Sequence, residues 1–197
     1  MKIMFVESKS KEDVTDVINK SLKKIGGKVG LVSSVQFLNQ LPKAQKLVKG
    51  SVIVGQVLGC NVSNPLIYKE KVDMFLFIGS AYFYPIYLAY KTKKKVLIAN
   101  PMTGEITEVK KEDVEKYEKK IKGKQAKFLM SKKIGVIVST KPGQEKLQLA
   151  LKLGYPVFVC NEVDENELEN FQMDYWINTA CNRIEGKNII NLEDLPK

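Results

Sequence analysis

Histidine is missing from all 197 residues. With it go the commonest general base and the commonest zinc ligand, which excludes Ser-His-Asp and Cys-His hydrolases, zincins and zinc deaminases. Arginine is nearly missing too. Arg183 is the one guanidinium among 32 basic residues, and the rest are lysine. Readers of bases and phosphates favour the planar arginine fork, so the net charge of +10 is expected on a solvated, lysine-rich surface, not on a nucleic-acid face. The pairs and runs Lys93 to Lys95, Lys110 and Lys111, Lys119 and Lys120, and Lys132 and Lys133 stand beside acids or just ahead of strand-like segments. A positive surface still suits an acidic partner.

No CxxC pair occurs, and the three cysteines, Cys60, Cys160 and Cys181, are odd in number, as expected of a reduced cytosolic compartment and not of a secreted disulfide framework. No apolar run approaches the roughly 18 residues of a membrane span. The opening MKIMFVESKS already carries Lys2 and Glu7, so no signal peptide is expected either. The expectation is a cytoplasmic protein without a membrane partner. What is present is an ordinary globular composition, 44% hydrophobic and 27% charged, enough for one large domain or two small ones.

Strand and helix patterns alternate along the whole chain. Short β-type runs are read at Lys2–Ser8, Lys28–Val35, Ser51–Cys60, Val72–Gly79, Lys95–Asn100, Lys133–Thr140, Tyr155–Cys160, Asp174–Cys181 and Asn188–Leu192. Between them, helices are expected from Ser10 to Ile25, closed by Gly26 and Gly27, then over Phe37–Val48, Tyr82–Tyr90, Lys110–Ile121 and Glu145–Leu153. Near-continuous apolar strands separated by helices indicate parallel sheets covered on both faces. The fold class is therefore α/β, as two tandem related lobes, each a small mainly parallel sheet flanked by helices. The turn at Pro101 to Gly104 places the lobes at residues 1–104 and 105–197. Their relatedness shows in the letters: KVGLVSSVQ at Lys28 matches KIGVIVSTK at Lys133, and VDMFLFIGSA at Val72 matches MDYWINTA at Met173 with nearly the same spacing. A repeat of α/β units puts equivalent loops at the carboxyl ends of strands, where open sheets bind ligands.

Those loops collect the unusual residues: Gln36; Gly55, Gln56, Val57, Leu58, Gly59 and Cys60; Gly79 and Ser80; Ser139, Thr140, Lys141, Pro142, Gly143 and Gln144; and Asn178, Thr179, Ala180 and Cys181. Small residues there let a ligand approach the backbone closely, although turn chemistry alone asks for the same glycines. STKPGQ also precedes a helical pattern whose first amides suit an anion or carboxylate. Cys160 ends the apolar run VFVC and reads as a small core hydrophobe. Cys60 and Cys181 end segments rich in small residues, where a sulfur can face a cleft, and thiolates are the usual ligands of iron-sulfur clusters.

The string GQVLGC at Gly55–Cys60, preceded by VGLVSSVQFLNQLPKAQKLV at Val29–Val48, resembles the middle domain of the archaeal 2-(3-amino-3-carboxypropyl)histidine synthase family of diphthamide synthesis. FIGSAYFYP at Phe77–Pro85, NPMTGE at Asn100–Glu105, VSTKPGQ at Val138–Gln144 and WINTACNRI at Trp176–Ile184 continue the likeness in the family's order. The resemblance implies a three-domain α/β plan in which each domain gives one cysteine to a 4Fe-4S cluster that binds S-adenosylmethionine. A 3-amino-3-carboxypropyl group then passes to a histidine of elongation factor 2 or to another acceptor. By position, Cys60 is the middle-domain ligand, Cys181 the last-domain ligand, and STKPGQ lines the S-adenosylmethionine side.

The chain departs from that pattern in three places. It starts where the family's second domain starts, so the first domain's cysteine is expected from Cys160, from a homodimer or heteromer partner supplying the missing domain, or not at all. Tyr84 stands where the family usually has histidine, and Asn182 where NTACPR has proline. Two further readings are a non-catalytic scaffold subunit of a fuller homologue, and a small-molecule or sulfur-handling enzyme whose cluster uses Cys60, Cys181 and Cys160.

Overall fold

The computed structural model describes residues 4, 6, 8–59 and 61–196. Cys60 and most of the expected strand at Lys2–Ser8 lie outside the described residues. Two compact units emerge, Met1–Tyr117 and Glu118–Lys197.

The first unit is built on β1 (Val29–Ser33), β2 (Val52–Gln56), β3 (Met74–Ile78), β4 (Lys95–Asn100) and β5 (Glu105–Glu108), in the order β2-β1-β3-β4-β5. All neighbours are parallel except β5, which runs antiparallel to β4. Both faces are covered. Leu31, Leu76 and Leu97 pack with α1 (Thr15–Ser21) and α2 (Leu41–Leu47) on one side, while Val32, Phe75, Phe77 and Ile98 pack with α4 (Phe83–Thr92) on the other. A short α3 (Ser63–Tyr68) follows β2, where no helix is expected from the sequence. Two helices begin later than the sequence pattern suggests. Asp13, not Ser10, binds the N–H of Thr15 as α1 starts, and a 3-10 segment at Val35–Gln40 precedes α2, whose first turn holds Pro42.

The second unit has β6 (Ile134–Ser139), β7 (Val157–Cys160), β8 (Tyr175–Asn178) and β9 (Ile189–Asn191), all parallel, in the order β7-β6-β8-β9. Its helices are α5 (Lys111–Met130), within which the division of the chain falls, α6 (Leu147–Leu151) and α7 (Glu165–Leu168). The two-lobe α/β reading is thus what the chain forms. The division, however, comes at Tyr117/Glu118, beyond the expected 104/105, because β5 pairs with β4 and Tyr117 packs on Tyr87 and Tyr90.

The internal repeat is a repeat of structure. Strand order β2-β1-β3-β4 matches β7-β6-β8-β9, and Gly30 opposite Phe75 matches Gly135 opposite Trp176. Ahead of each central pair the same clasp forms. Asp73 donates its N–H to the Lys28 carbonyl at 2.7 Å and takes the Lys28 N–H on its carboxylate at 2.6 Å. Asp174 does likewise with Lys133, at 2.8 Å both ways, and also takes the Lys132 N–H at 2.9 Å. These backbone bonds hold the Asp174 carboxyl below its ordinary value. A depressed carboxyl contributes stability above its unfolded value, roughly pH 4, and loses that contribution as pH falls through the folded value. Acid unfolding followed by circular dichroism should therefore be less steep below about pH 4 in Asp174→Asn than in the wild type.

Among the described residues no helix is long and apolar enough to cross a membrane.

Candidate functional site

Strand β6 ends at Ser139, and the chain turns through Thr140, Lys141, Pro142, Gly143 and Gln144. This turn is braced by its own backbone and side chains. Lys141 donates its N–H to Ser139 Oγ at 3.1 Å, Gln144 donates to the Lys141 carbonyl at 3.0 Å, and Thr140 donates to the Cys160 carbonyl at 2.9 Å. Gly143 has φ of +79° with open space around it, so it serves the left-handed turn and not a close approach. Expected anion binding at the following helix does not hold. Glu145 Oε1 takes the Leu147 N–H at 2.7 Å, occupying an amide that a ligand would need, and α6 is only five residues long.

Strand β8 leads into the second motif. Asn178 and Thr179 are fully buried scaffold residues, which corrects their reading as direct cofactor contacts. Thr179 Oγ1 donates to the Ile137 carbonyl at 2.8 Å, and Asn178 Nδ2 donates to the Cys181 carbonyl at 2.8 Å. Cys181 itself is partly exposed with a free thiol. It opens on a cavity of about 350 Å³ whose wall also contains Ser139, Lys141, Gln144, Asn161, Glu162, Val163 and Ile184. So the motifs STKPGQ and NTAC, some forty residues apart in sequence, meet at one hollow. Pro142 and Gly143 stay exposed outside its lining, and Thr140 turns to Asn161 Oδ1 at 3.4 Å. Asn161, Glu162 and Val163 are wall residues that no sequence pattern singled out.

The cavity is of mixed charge. Lys141 Nζ lies 3.4 Å from Glu162 Oε1, and both side chains reach solvent. Cys160 does not join them. Its thiol donates to the Val138 carbonyl at 3.9 Å and packs against the cluster of Ile137, Leu168, Trp176 and Ile189. Burial, and then the nearby Glu167 carboxylate, push that thiol up, with Lys141 opposing. Cys160 is not among the residues lining the cavity that Cys181 opens on, and its packing accords with its reading as a small hydrophobe.

In the first unit, Gln56 ends β2 and lines a polar hollow of about 180 Å³ with Leu58, Asn61, Ser63 and Asn64. Gly55 sits beside the register shift of β2 against β1. Gly59 makes a close approach, since a Cβ there would fall 2.8 Å from ring carbons of Phe83 and Tyr84. The backbone next to Cys60 therefore lies against the start of α4, and Tyr84, at the family's usual histidine position, is one of the rings it meets. Gln36 is exposed with its carbonyl taking the Ser10 N–H, Gly79 is buried, and Ser80 is exposed; none lines that hollow.

A 4Fe-4S cluster asks for several thiolates. Cys181 has the right donor atom at the wall of a roomy cavity, and among the described residues no three of His, Cys, Asp and Glu gather to hold a metal ion. The described residues thus fit one corner of a cluster.

Over residues 1–191 the sequence matches the profile of the family described as "Putative diphthamide synthesis protein". The chain belongs to the diphthamide synthesis family. It is 31% identical to the 2-(3-amino-3-carboxypropyl)histidine synthase of Pyrococcus horikoshii over 92% of its own length, and 30% identical to the synthase of that name from Methanocaldococcus jannaschii over 90%. The chain spans 58% and 51% of the lengths of those relatives. In structure it is similar to a crystal structure of Dph2 from Pyrococcus horikoshii with a 4Fe-4S cluster, at a TM-score of 0.78 and 29% identity, covering 94% of this chain and 62% of that one. A second Dph2 crystal structure from the same organism matches at a TM-score of 0.76.

The orphan amide beside Cys181 carries a prediction. Asn182 is buried, and its Nδ2 has no partner among the described residues. Burying an unsatisfied amide costs about 1–3 kcal/mol, so Asn182→Ala should leave stability unchanged or raise it by about 1 kcal/mol, checked by urea unfolding.

Proposed function

We propose that this chain takes part in diphthamide synthesis as a two-lobe subunit of a 3-amino-3-carboxypropyl transferase, with S-adenosylmethionine as donor and a histidine of elongation factor 2 as acceptor. Convergence of Cys181 with Ser139, Lys141 and Gln144 in one cavity is the observation that carries the reading. Cys181 and Cys60 are the thiolates this chain gives to a 4Fe-4S cluster, and the remaining ligand comes from a second copy or a partner chain. When bound, the cluster supplies the electron that cleaves the donor's carbon-sulfur bond.

The other residues bind and orient. Lys141 and Glu162 form a solvent-exposed ion pair whose two charges are the opposites of an amino acid's carboxylate and ammonium. An exposed pair of this kind is worth little by itself, so it opens readily for a zwitterionic ligand. Ser139 and Gln144 hold the Lys141 backbone in place. In the assembled, anaerobically reconstituted enzyme, Lys141→Ala is expected to raise the half-saturating S-adenosylmethionine concentration about tenfold, close to 1.4 kcal/mol.

Release of 5′-methylthioadenosine from S-adenosylmethionine, with transfer of the labelled aminocarboxypropyl group to elongation factor 2, tests the reading directly. The chain is assayed with a family partner that carries a further cysteine ligand, each also alone. Activity only in the mixture, lost with Cys181→Ala, is the expected result. A second reading, a scaffold that contributes no ligand, draws on Cys181 being the one thiol among the described residues lining the cavity. It requires that mixture activity survive Cys181→Ala together with Cys60→Ala.

A further inference from the structure

Behind Cys181 the second unit buries a chain of polar side chains. Asn178 is 0% exposed, Asp194 3% and Asn191 9%. Asn178 Nδ2 donates to the Cys181 carbonyl and to Asn191 Oδ1, both at 2.8 Å, while Asn178 Oδ1 takes the Ala180 N–H at 2.9 Å. Asn191 Nδ2 donates to the Asn182 carbonyl at 3.2 Å and to Asp194 Oδ2 at 3.4 Å. From α5, Gln125 donates to the Asp194 carbonyl at 2.8 Å. Thus the main chain is gripped on three consecutive residues, Ala180, Cys181 and Asn182, from the interior.

The internal repeat shows that the fold does not need polarity there. Asn178 stands opposite Asn191 in the β8–β9 register, and the matching place in the first unit is Phe77 opposite Ile98 in β3–β4. That equivalent pair is apolar and buried. Burying amides and a carboxylate where apolar side chains suffice adds desolvation for no gain in packing. The polar pair is distinguished only by what it holds: the loop that follows β3 at this point carries Ser80, and the loop that follows β8 carries Cys181.

We propose that Asn191, seated by Asp194 and acting through Asn178, is a positioning residue that presets the Cys181 loop for ligation at the cavity. This rests on the reading of Cys181 as a cluster ligand. A preset loop spares the cluster the ordering of its own ligand, and groups behind a metal ligand commonly tune affinity about 10-fold to 100-fold.

The test compares the metal-free, full chain with two variants, using alkylation of Cys181 relative to Cys160 as an internal clock, read by peptide mass spectrometry. In Asn178→Leu with Asn191→Ile, which gives this place the apolar character of the first unit's pair, the Cys181 to Cys160 rate ratio is expected to rise about threefold or more, because the loop opens locally. Asp194→Asn keeps a hydrogen-bonding oxygen and is expected to restore a ratio within about twofold of wild type. Ile190→Val, a mild core change on the same strand, should leave the ratio alone. Should the paired variant not fold, Asp194→Ala carries the same expectation. An unchanged ratio in folded variants, or an equal rise in Ile190→Val, overturns the proposal. Reconstitution with iron and sulfide, carried out on the chain assembled with the family partner, separates the two layers. A changed ratio with no iron uptake by wild type supports the positioning and sinks the cluster reading; iron uptake and absorption spectra identical in wild type and variants overturn the positioning and leave the cluster reading standing.

Discussion

Cys181→Ala is expected to lower the iron retained after anaerobic reconstitution of the assembled protein by roughly tenfold or more, since even groups behind a metal ligand are worth about 10-fold to 100-fold in affinity. Cys181 is the free thiol that opens on the STKPGQ cavity, and alanine leaves no donor at that corner. Cys160→Ala should differ sharply. Its thiol is spent on the Val138 carbonyl and on packing beside Trp176, so iron retention should match wild type while thermal stability falls modestly. Iron and acid-labile sulfide measured together on both variants decide the point. Equal loss in the two would remove the distinction drawn between the cysteines.

The largest effect on stability is expected from Gly135→Ala. Gly135 lies in β6, between β7 and β8, and a Cβ there would overlap the six-membered ring of Trp176, which is itself buried. The ring is held against Phe158 and Phe171, and overpacking of this kind costs about 3 kcal/mol. Combining it with Trp176→Leu should be less harmful than the two single changes added together, by about 1 kcal/mol or more, because the smaller side chain removes the clash. Gly30→Ala in the first unit is the internal comparison. Its Cβ would meet Phe75 ring carbons at 2.8 Å, a milder overlap, and a smaller loss is expected. Urea midpoints for the four variants check the order.

Much of the architecture is legible in the residues, and the exceptions have local causes. The runs that became β3, β4 and β6 have apolar middles because both faces of each sheet are covered, and their repetition announced the two lobes. Strand β5 escaped notice because Glu105–Glu108 is a mostly exposed edge, held by pairing to β4 and by Lys95 with Glu108 at 3.0 Å. That edge moved the division of the chain past the turn at Gly104. The helix expected over Glu145–Leu153 is Leu147–Leu151, since Lys146 at φ −135° and ψ 39° lies outside the helical region and Glu145 takes the Leu147 N–H ahead of it.

At the site, Ser139, Lys141, Gln144 and Cys181 were readable because their motifs carry them. Thr179 and Asn178 look alike on paper but are buried, because both faces of the parallel sheet at the end of β8 are covered. Asn191 and Asp194 gave no signal, because only the β8–β9 register brings them behind the Cys181 loop. Asn161 and Glu162 were equally silent, lying just past an edge strand with no motif of their own.

Under the proposed function, Cys60 and Cys181 of this chain are cluster thiolates and Cys160 is not. Differential alkylation of the three cysteines, before and after anaerobic reconstitution of the assembled protein, tests it most directly. Protection of Cys60 and Cys181 together, with Cys160 reacting as it does without iron, is the predicted result. Equal labelling of all three thiols in both states, or protection that falls on Cys160, would contradict it.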